Sequence, residues 1–318
     1  MNKPLTVAVL GCEHCHIRGN SQYLLAHSGI EVTEVWGREE DYVAATAQKL
    51  GAHILQDPAD LRPADLAIIT SDTRDHKMLV EACVGKVRAV HVDKPLGLNT
   101  ADACAVERLS RNFGDMFAVG FFARLNPLML DLQARVEAGE IGALKHLSLS
   151  FGHTGRLDGW LDDWPMFGKR SRFGYGSFGD IAAQAIDVAT LLAGELDPKA
   201  CVLAFRPDHE SDVGGSGIAV GASGALVRIL ASAEMTGPRF DIRADGEKGS
   251  LWLRGREMGL YKETGETVLL RQGEWSQASD GPAALVAKLL GESHAPYASA
   301  EDGLYVNRML DRFMELAR

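Results

Sequence analysis

From residue 4 to about 120 the chain alternates short apolar runs with amphipathic stretches, and no other feature constrains its fold so strongly. The apolar runs fall at 5–10, 31–36, 66–70, 88–92 and 116–120, and the amphipathic ones at 21–28, 41–50, 75–85 and 100–112. Val7-Ala-Val-Leu-Gly11 and Ala67-Ile-Ile-Thr70 read as buried strands that end in small or polar residues. Strands and helices in this alternation pair in parallel through right-handed crossovers, so residues 1–120 are expected to form a doubly wound sheet. After Gly120 the character changes. A helix is expected near 127–138, and Leu144-Lys-His-Leu-Ser-Leu-Ser-Phe151 has the period-two pattern of a strand with one wet face. Further strands suggest themselves at 200–206, 217–222, 225–234, 239–244, 250–254, 258–262 and 267–271, several joined by glycine-containing turns. Residues 121–318 are therefore expected to form a second, α+β domain with a large, mostly antiparallel open sheet and a last helix at 301–317 packed across it.

The formal net charge is -10, and no Lys/Arg cluster offers the basic face that phosphate-backbone binding needs, which excludes a nucleic-acid partner. No apolar stretch approaches membrane-spanning length and the N-terminus runs directly into a strand pattern, so a cytoplasmic chain without a membrane partner is expected. Five scattered cysteines make poor material for a disulfide framework. Cys12-Glu-His-Cys15-His16 has the letter pattern of a c-type haem attachment, and its donors equally suggest zinc. Haem attachment requires export, and zinc requires donors gathered from one tight turn. The expectation is a phosphate-facing loop with unusual side chains and no metal.

The same loop follows the first strand and looks like the opening of a dinucleotide-binding unit, in which glycines let backbone approach a pyrophosphate at a helix N-terminus. Gly11 stands, while Glu13 and His16 occupy the places of the second and third glycines. An ionised Glu13 is expected to crowd the turn and repel phosphate. The second strand ends in Gly37-Arg38, where an acid would usually meet the ribose hydroxyls. An arginine there can pair with a 2′-phosphate, which favours NADP(H) over NAD(H); Glu39, Glu40 and Asp41 are the neighbours that can neutralise it instead.

His91-Val-Asp-Lys-Pro-Leu-Gly97 closes a buried strand on an acid, an amine and a helix-forbidding proline. In an open parallel sheet ligands bind just beyond such carboxyl ends, which makes Lys94 a candidate for chemistry. Farther on, Gly174-Tyr-Gly-Ser-Phe-Gly-Asp180 leads into a helix on which Asp180, Gln184 and Asp187 share one face at i, i+4, i+7. That face is either a solvent face or the lining of a cleft; the three preceding glycines, which allow backbone close to a ligand, favour the cleft.

These motifs together resemble the glucose-fructose oxidoreductase, inositol dehydrogenase and MocA family, nearly end to end. The likeness runs through Gly11, the Thr70–Asp75 loop with His76, Asp93-Lys94-Pro95, Arg124-Leu-Asn-Pro127, Gly139-Glu-Ile-Gly142, the glycine-rich helix start at 174–187 and Gly246-Glu-Lys-Gly-Ser250. It implies a Rossmann domain joined to an open mixed sheet, NAD(P) as cofactor, a sugar-like or polyol substrate, and a homo-oligomer, dimer or tetramer, formed through the C-terminal sheet. Lys94 resembles the lysine that hydrogen-bonds the reacting oxygen, and Asp180 the acid that orients substrate. Gln184 stands where the family commonly has a histidine, and an amide cannot accept a proton near neutrality. The resemblance assigns Gly11, Cys12, His14, Cys15, Arg38, Thr70, His76, Asp93 and Lys94 to the cofactor, and Arg124, His153, Trp164 and Asp187 to substrate. His153 is also a candidate general base, with a lone surface histidine as its alternative, and Trp164 fits a wet loop equally well. A lyase or hydratase acting on an oxidised sugar, and a non-catalytic ligand-binding relative, are the competing readings.

Overall fold

The computed structural model describes residues 3–164 and 168–317. Six strands, β1 (Leu5–Leu10), β2 (Ile30–Trp36), β3 (His53–Ile54), β4 (Ala64–Ile69), β5 (Val87–Val92) and β6 (Phe117–Val119), form one sheet in the order β3-β2-β1-β4-β5-β6. Every neighbouring pair is parallel. Helices α1 (Ile17–Ala26), α2 (Glu40–Leu50), α3 (His76–Cys83) and α4 (Thr100–Ser110) make the crossovers. Val7–Leu10 and Leu66–Ile69 have no exposed surface, as central strands covered on both faces require. The order reverses direction between β1 and β4, so the loops after β1, β4 and β5 meet at the carboxyl edge where such sheets bind ligands.

The second sheet has eight strands: β7 (Leu144–Gly152), β8 (Leu196–Ala204), β9 (Gly214–Gly221), β10 (Leu226–Ser232), β11 (Phe240–Gly246), β12 (Gly249–Arg254), β13 (Glu257–Lys262) and β14 (Thr267–Gln272). Their order is β14-β13-β12-β11-β7-β10-β9-β8, antiparallel throughout except where β7 runs parallel to β10. The remaining helices are α5 (Pro127–Glu137), the single turn α6 (Arg170–Phe173), α7 (Ser177–Ala193), α8 (Asp280–Leu289) and α9 (Ala300–Leu316). The expected fold class, a doubly wound parallel sheet followed by a mostly antiparallel one, is the one found.

Two units result: Met1–Phe122 with Trp164–Gly174 and Gln277–Asn307, and Ala123–Asp163 with Tyr175–Ser276 and Arg308–Arg318. The sequence reading cuts the chain once, near 120, whereas the first unit regains two later segments. One of these contains α8, which the sequence hides behind Gly281-Pro282. Proline is tolerated in a first helical turn, and a Cβ at position 281 would lie 2.5 Å from His91 Nε2. Helix α1 starts at Ile17 rather than 21, through Gly19, Asn20 and Ser21, which are weak helix formers. Strand β8 starts at Leu196 rather than 200 because Pro198 sits on an edge strand, at a register shift. Within the second unit the end of α9 lies on the sheet as expected, Phe313 filling the space that glycine leaves at position 217.

Candidate functional site

The loop after β1 is shaped by two glycines and one acid. Gly11 has φ +106°, and a Cβ there would lie 2.3 Å from the backbone of Ser71, so only glycine lets the β1 and β4 loops approach. Glu13 does not stand over the loop as the sequence reading expects. It is 1 % exposed and folds inward, accepting hydrogen bonds from the N–H groups of Cys12 (2.9 Å), Arg38 (2.5 Å) and Glu39 (3.2 Å). Gly37 makes this possible, because a Cβ there would lie 2.7 Å from Glu13 Oε1. Burial raises the Glu13 pKa against the opposing pull of these three donors. The repulsion of phosphate expected from Glu13 is thereby weakened.

Arg38 is the residue on which the NADP(H) expectation rests, and it is already engaged. Its Nε and Nη2 donate to the two oxygens of Asp75 at 2.6 and 2.5 Å. The neutralising acid is Asp75, not the adjacent Glu39, Glu40 or Asp41. Asp72 takes a hydrogen bond from Arg172 and lies 3.2 Å from Arg74, and Arg172 also reaches Glu39 at 2.9 Å. A closed network of carboxylates and guanidinium groups thus spans the ends of β2 and β4.

The third group centres on Asp93, at the end of β5. His16 Nδ1–H donates to its carboxylate at 2.8 Å, and His14 Nδ1 lies 3.4 Å from it. The imidazoles of His14 and His16 meet edge to face with centroids 4.2 Å apart. Burial opposes ionisation of Asp93, but the histidine donors and Lys94 outweigh it and hold the carboxyl well below the usual range. Burial pushes His16, His76 and His91 down to about 4, so these rings are neutral near pH 7. His76 Nδ1–H is held by the Leu96 carbonyl at 3.2 Å. Lys94 is only 4 % exposed, and its peptide bond to Pro95 is cis.

Of the remaining expected cofactor residues, Thr70 is buried, and its carbonyl accepts from His14 N–H at 3.2 Å. Cys12 is buried with Sγ 3.9 Å from the Trp36 carbonyl, and burial pushes its thiol up to about 12. Cys15 is half-buried, its Sγ 3.9 Å from His14 Nδ1. Trp164, expected at the substrate, belongs to the first unit, buried beneath the guanidinium of Arg18, 4.2 Å away.

In the second unit the polar face of α7 is neither solvated nor fully open. Gln184 is 3 % exposed and its Oε1 accepts from Ala123 N–H at 3.1 Å. Asp187, 2 % exposed, holds Arg124 through both oxygens, with Nε to Oδ2 at 2.9 Å. Asp180 is half-buried one turn above Gln184. His153 Nδ1 accepts from Gly155 N–H at 3.1 Å, and its ring lies against Trp160. The glycines before α7 have internal reasons as well. At position 176 a Cβ would collide with Asp212, whose Oδ1 accepts from Phe178 N–H at 2.7 Å, and at 179 it would meet the Tyr175 ring at 2.8 Å.

Sequence reasoning missed Asp75, the clamp on Arg38, and the inward turn of Glu13; the missing side chain at Gly37 was the available signal. It also passed over His91, whose two ring nitrogens have no hydrogen-bond partner among the described residues.

Residues 5–121 match the oxidoreductase family with an NAD-binding Rossmann fold, and residues 129–252 match the GFO/IDH/MocA C-terminal domain. Inositol 2-dehydrogenase 2 of Saccharopolyspora erythraea is 31% identical over 147 residues, 43% of this chain and 42% of that one. The dTDP-3,4-didehydro-2,6-dideoxy-alpha-D-glucose 3-reductase of Streptomyces violaceoruber is 27% identical over 259 residues, 79% of this chain and 73% of that one. The chain thus matches less than half the length of the inositol dehydrogenase. Among solved structures, a 3-ketoreductase from Actinomadura kijaniata in complex with NADP and TDP-benzene superposes with a TM-score of 0.81 at 21% identity, covering 99% of this chain and 98% of that one. An oxidoreductase from Agrobacterium radiobacter in complex with NAD+, L-tartaric acid and magnesium gives 0.79 at 17% identity, covering 98% and 96%. At these identities the likeness is one of fold.

Proposed function

Because the chain belongs to the Gfo/Idh/MocA family of oxidoreductases, with an NAD-binding Rossmann fold at its N-terminal end, we propose that it moves hydride between NAD(P) and a hydroxyl or carbonyl carbon of a sugar or polyol. The observation that carries this reading is Lys94, buried at the carboxyl end of β5 beside an ionised Asp93, on the edge where the strand order reverses. Gly11 lets the β1 and β4 loops close on each other, and the inward turn of Glu13 takes its carboxylate out of the turn after β1, which supports a dinucleotide there. The nicotinamide supplies the hydride donor or acceptor. Lys94 Nζ hydrogen-bonds the reacting oxygen and, in the direction of reduction, delivers the proton that balances the hydride. In the second unit Asp180 is assigned to substrate hydroxyls, while Gln184, Arg124 and Asp187 position backbone and helix.

A preference for NADP(H) rests on Arg38. A 2′-phosphate gains that guanidinium only by displacing Asp75, so NADPH and NADH are expected to bind within a few-fold of each other. A homo-oligomer through the second sheet accords with exposed Val202, Phe205 and Leu226, at 62%, 57% and 46%. A lyase or hydratase reaction is the second reading, favoured by Gln184, an amide whose oxygen already serves Ala123.

The test is to titrate the purified chain with NADH and NADPH by fluorescence, then follow nicotinamide absorbance across a panel of sugars, polyols and their keto forms. Binding with turnover supports the proposal. Binding with substrate conversion but no net redox would transfer the chain to the second reading, and absence of nucleotide binding would defeat both.

A further inference from the structure

We propose that His14, Cys15 and His16 form a binding site for a borderline divalent metal ion of the Zn2+ class. The inference rests on donor geometry, and its three residues lie in the loop that the proposed function gives to the dinucleotide. One donor atom from each of the three residues lies within 4.8 Å of the other two, the only such cluster among the described residues. His14 Nδ1 and Cys15 Sγ are already 3.9 Å apart. With metal bonds of about 2.0–2.1 Å to nitrogen and 2.3 Å to sulfur, tetrahedral ligands stand roughly 3.3–3.7 Å from one another, so side-chain rotations of modest size close the set. One tight turn does gather the donors, which was the objection to zinc at the level of sequence. The C-x-x-C spacing is not what gathers them. Cys12 points away to the Trp36 carbonyl, and His14, which the haem-like letter pattern skips, takes its place.

Two further observations point to a ligand. Asp93, 2.8 Å from His16 Nδ1, makes the carboxylate–histidine contact that fixes the tautomer and ring angle of metal-binding imidazoles. A Cβ at Gly120 would lie 2.9 Å from Asp93 Oδ1, so the carboxylate is given its place by a residue that leaves space for it. His14 is buried, whereas Cys15 and His16 are half-buried, so three protein donors leave a fourth position facing accessible space, the arrangement of a site with an exchangeable ligand.

The experiment uses the full chain without an affinity tag, stripped with a chelator, titrated with Zn2+ against a chromophoric competitor and separately with Co2+ by absorption. The expected result is one equivalent of tightly bound Zn2+ and a thiolate-to-cobalt charge-transfer band. Cys15→Ser should abolish the band, and His16→Ala should weaken Zn2+ binding by more than the 10- to 100-fold typical of outer-shell changes; Asp93→Asn should fall about within that range. Cys104→Ser, on α4, should change nothing. Circular dichroism checks each fold, and if His14→Ala or Asp93→Asn does not fold, Cys15→Ser and His16→Ala at half-buried positions decide alone. Absence of stoichiometric Zn2+ binding to the parent chain, a charge-transfer band that survives Cys15→Ser, or equal losses in Cys104→Ser would overturn the site.

Discussion

The loops at the carboxyl edge of the first sheet and the polar face of α7 in the second unit both carry buried polar groups, but they dispose of them differently. On α7 the amide of Gln184 and the carboxylate of Asp187 are each committed to a fixed partner, Ala123 N–H and Arg124. At the sheet edge the groups are titratable and clustered: Asp93 between two imidazoles, Lys94 next to it in sequence, and His76 and His91 close enough to influence one another electrostatically. A closed pair mainly stabilises one arrangement. A cluster of imidazoles around one carboxylate offers nitrogen donors and acceptors for chemistry or metal binding. Substitutions in the two regions should therefore fail in different ways, one through activity and one through folding.

The largest effect is expected at Lys94. Lys94→Met keeps most of the stem, so the melting temperature should shift little while kcat/KM falls by about 10²- to 10⁴-fold, as for loss of an acid–base group. Steady-state kinetics beside thermal melts decide it, and a large melting shift with retained specific activity would place Lys94 with the closed pairs instead.

On α7 the opposite is expected. Arg124→Met leaves the Asp187 carboxyl buried without this ion pair, which should cost about 3–5 kcal/mol in urea unfolding, and adding Asp187→Leu should recover much of that loss. If the single variant keeps its stability and loses only substrate affinity, the pair belongs to the substrate rather than to the fold.

His91 sharpens the contrast through pH. Its folded-state pKa lies at about 4, below the ordinary value of about 6.5, so the unfolded chain takes the proton first as pH falls. The stability this neutral ring permits is whole above pH 6.5 and is lost between there and pH 4, by at most about 3 kcal/mol. The groups that act on it are Asp93, which favours the charged ring, and His16 and His76, which disfavour it. His91→Leu should reduce the slope of urea stability against pH over that window by about a third, since His16 and His76 are pushed to the same value, and an unchanged slope would mean that those other groups carry it.

The smallest effect concerns Arg38. Asp75→Ala frees the guanidinium and should move the NADPH-to-NADH affinity ratio by about tenfold toward NADPH, or about 1.4 kcal/mol. Calorimetric titration of both nucleotides reads it, and an unmoved ratio would remove Arg38 from cofactor recognition.

Periodicity was sufficient to read the parallel sheet, the switch to an antiparallel one after Gly120, and the edge on which Lys94 sits. Burial on two faces selects uniformly apolar strands, and burial on one face selects alternating ones, so that information is local in the chain. Where glycine or proline meets a neighbour distant in sequence, local information fails: Gly281-Pro282 lies in the first turn of α8 against His91, and Pro198 hides the start of β8. The partners of charged groups are equally invisible in one dimension. Arg38 is followed by three acids yet pairs with Asp75, 37 positions away, and Glu13 reverses its expected role by reaching the N–H groups at the end of β2. A side chain's type states which bonds it can make, but the free energy of burying it depends on which donors and acceptors the folded backbone brings within about 3 Å. Those neighbours are set by how strands and loops remote in sequence come together.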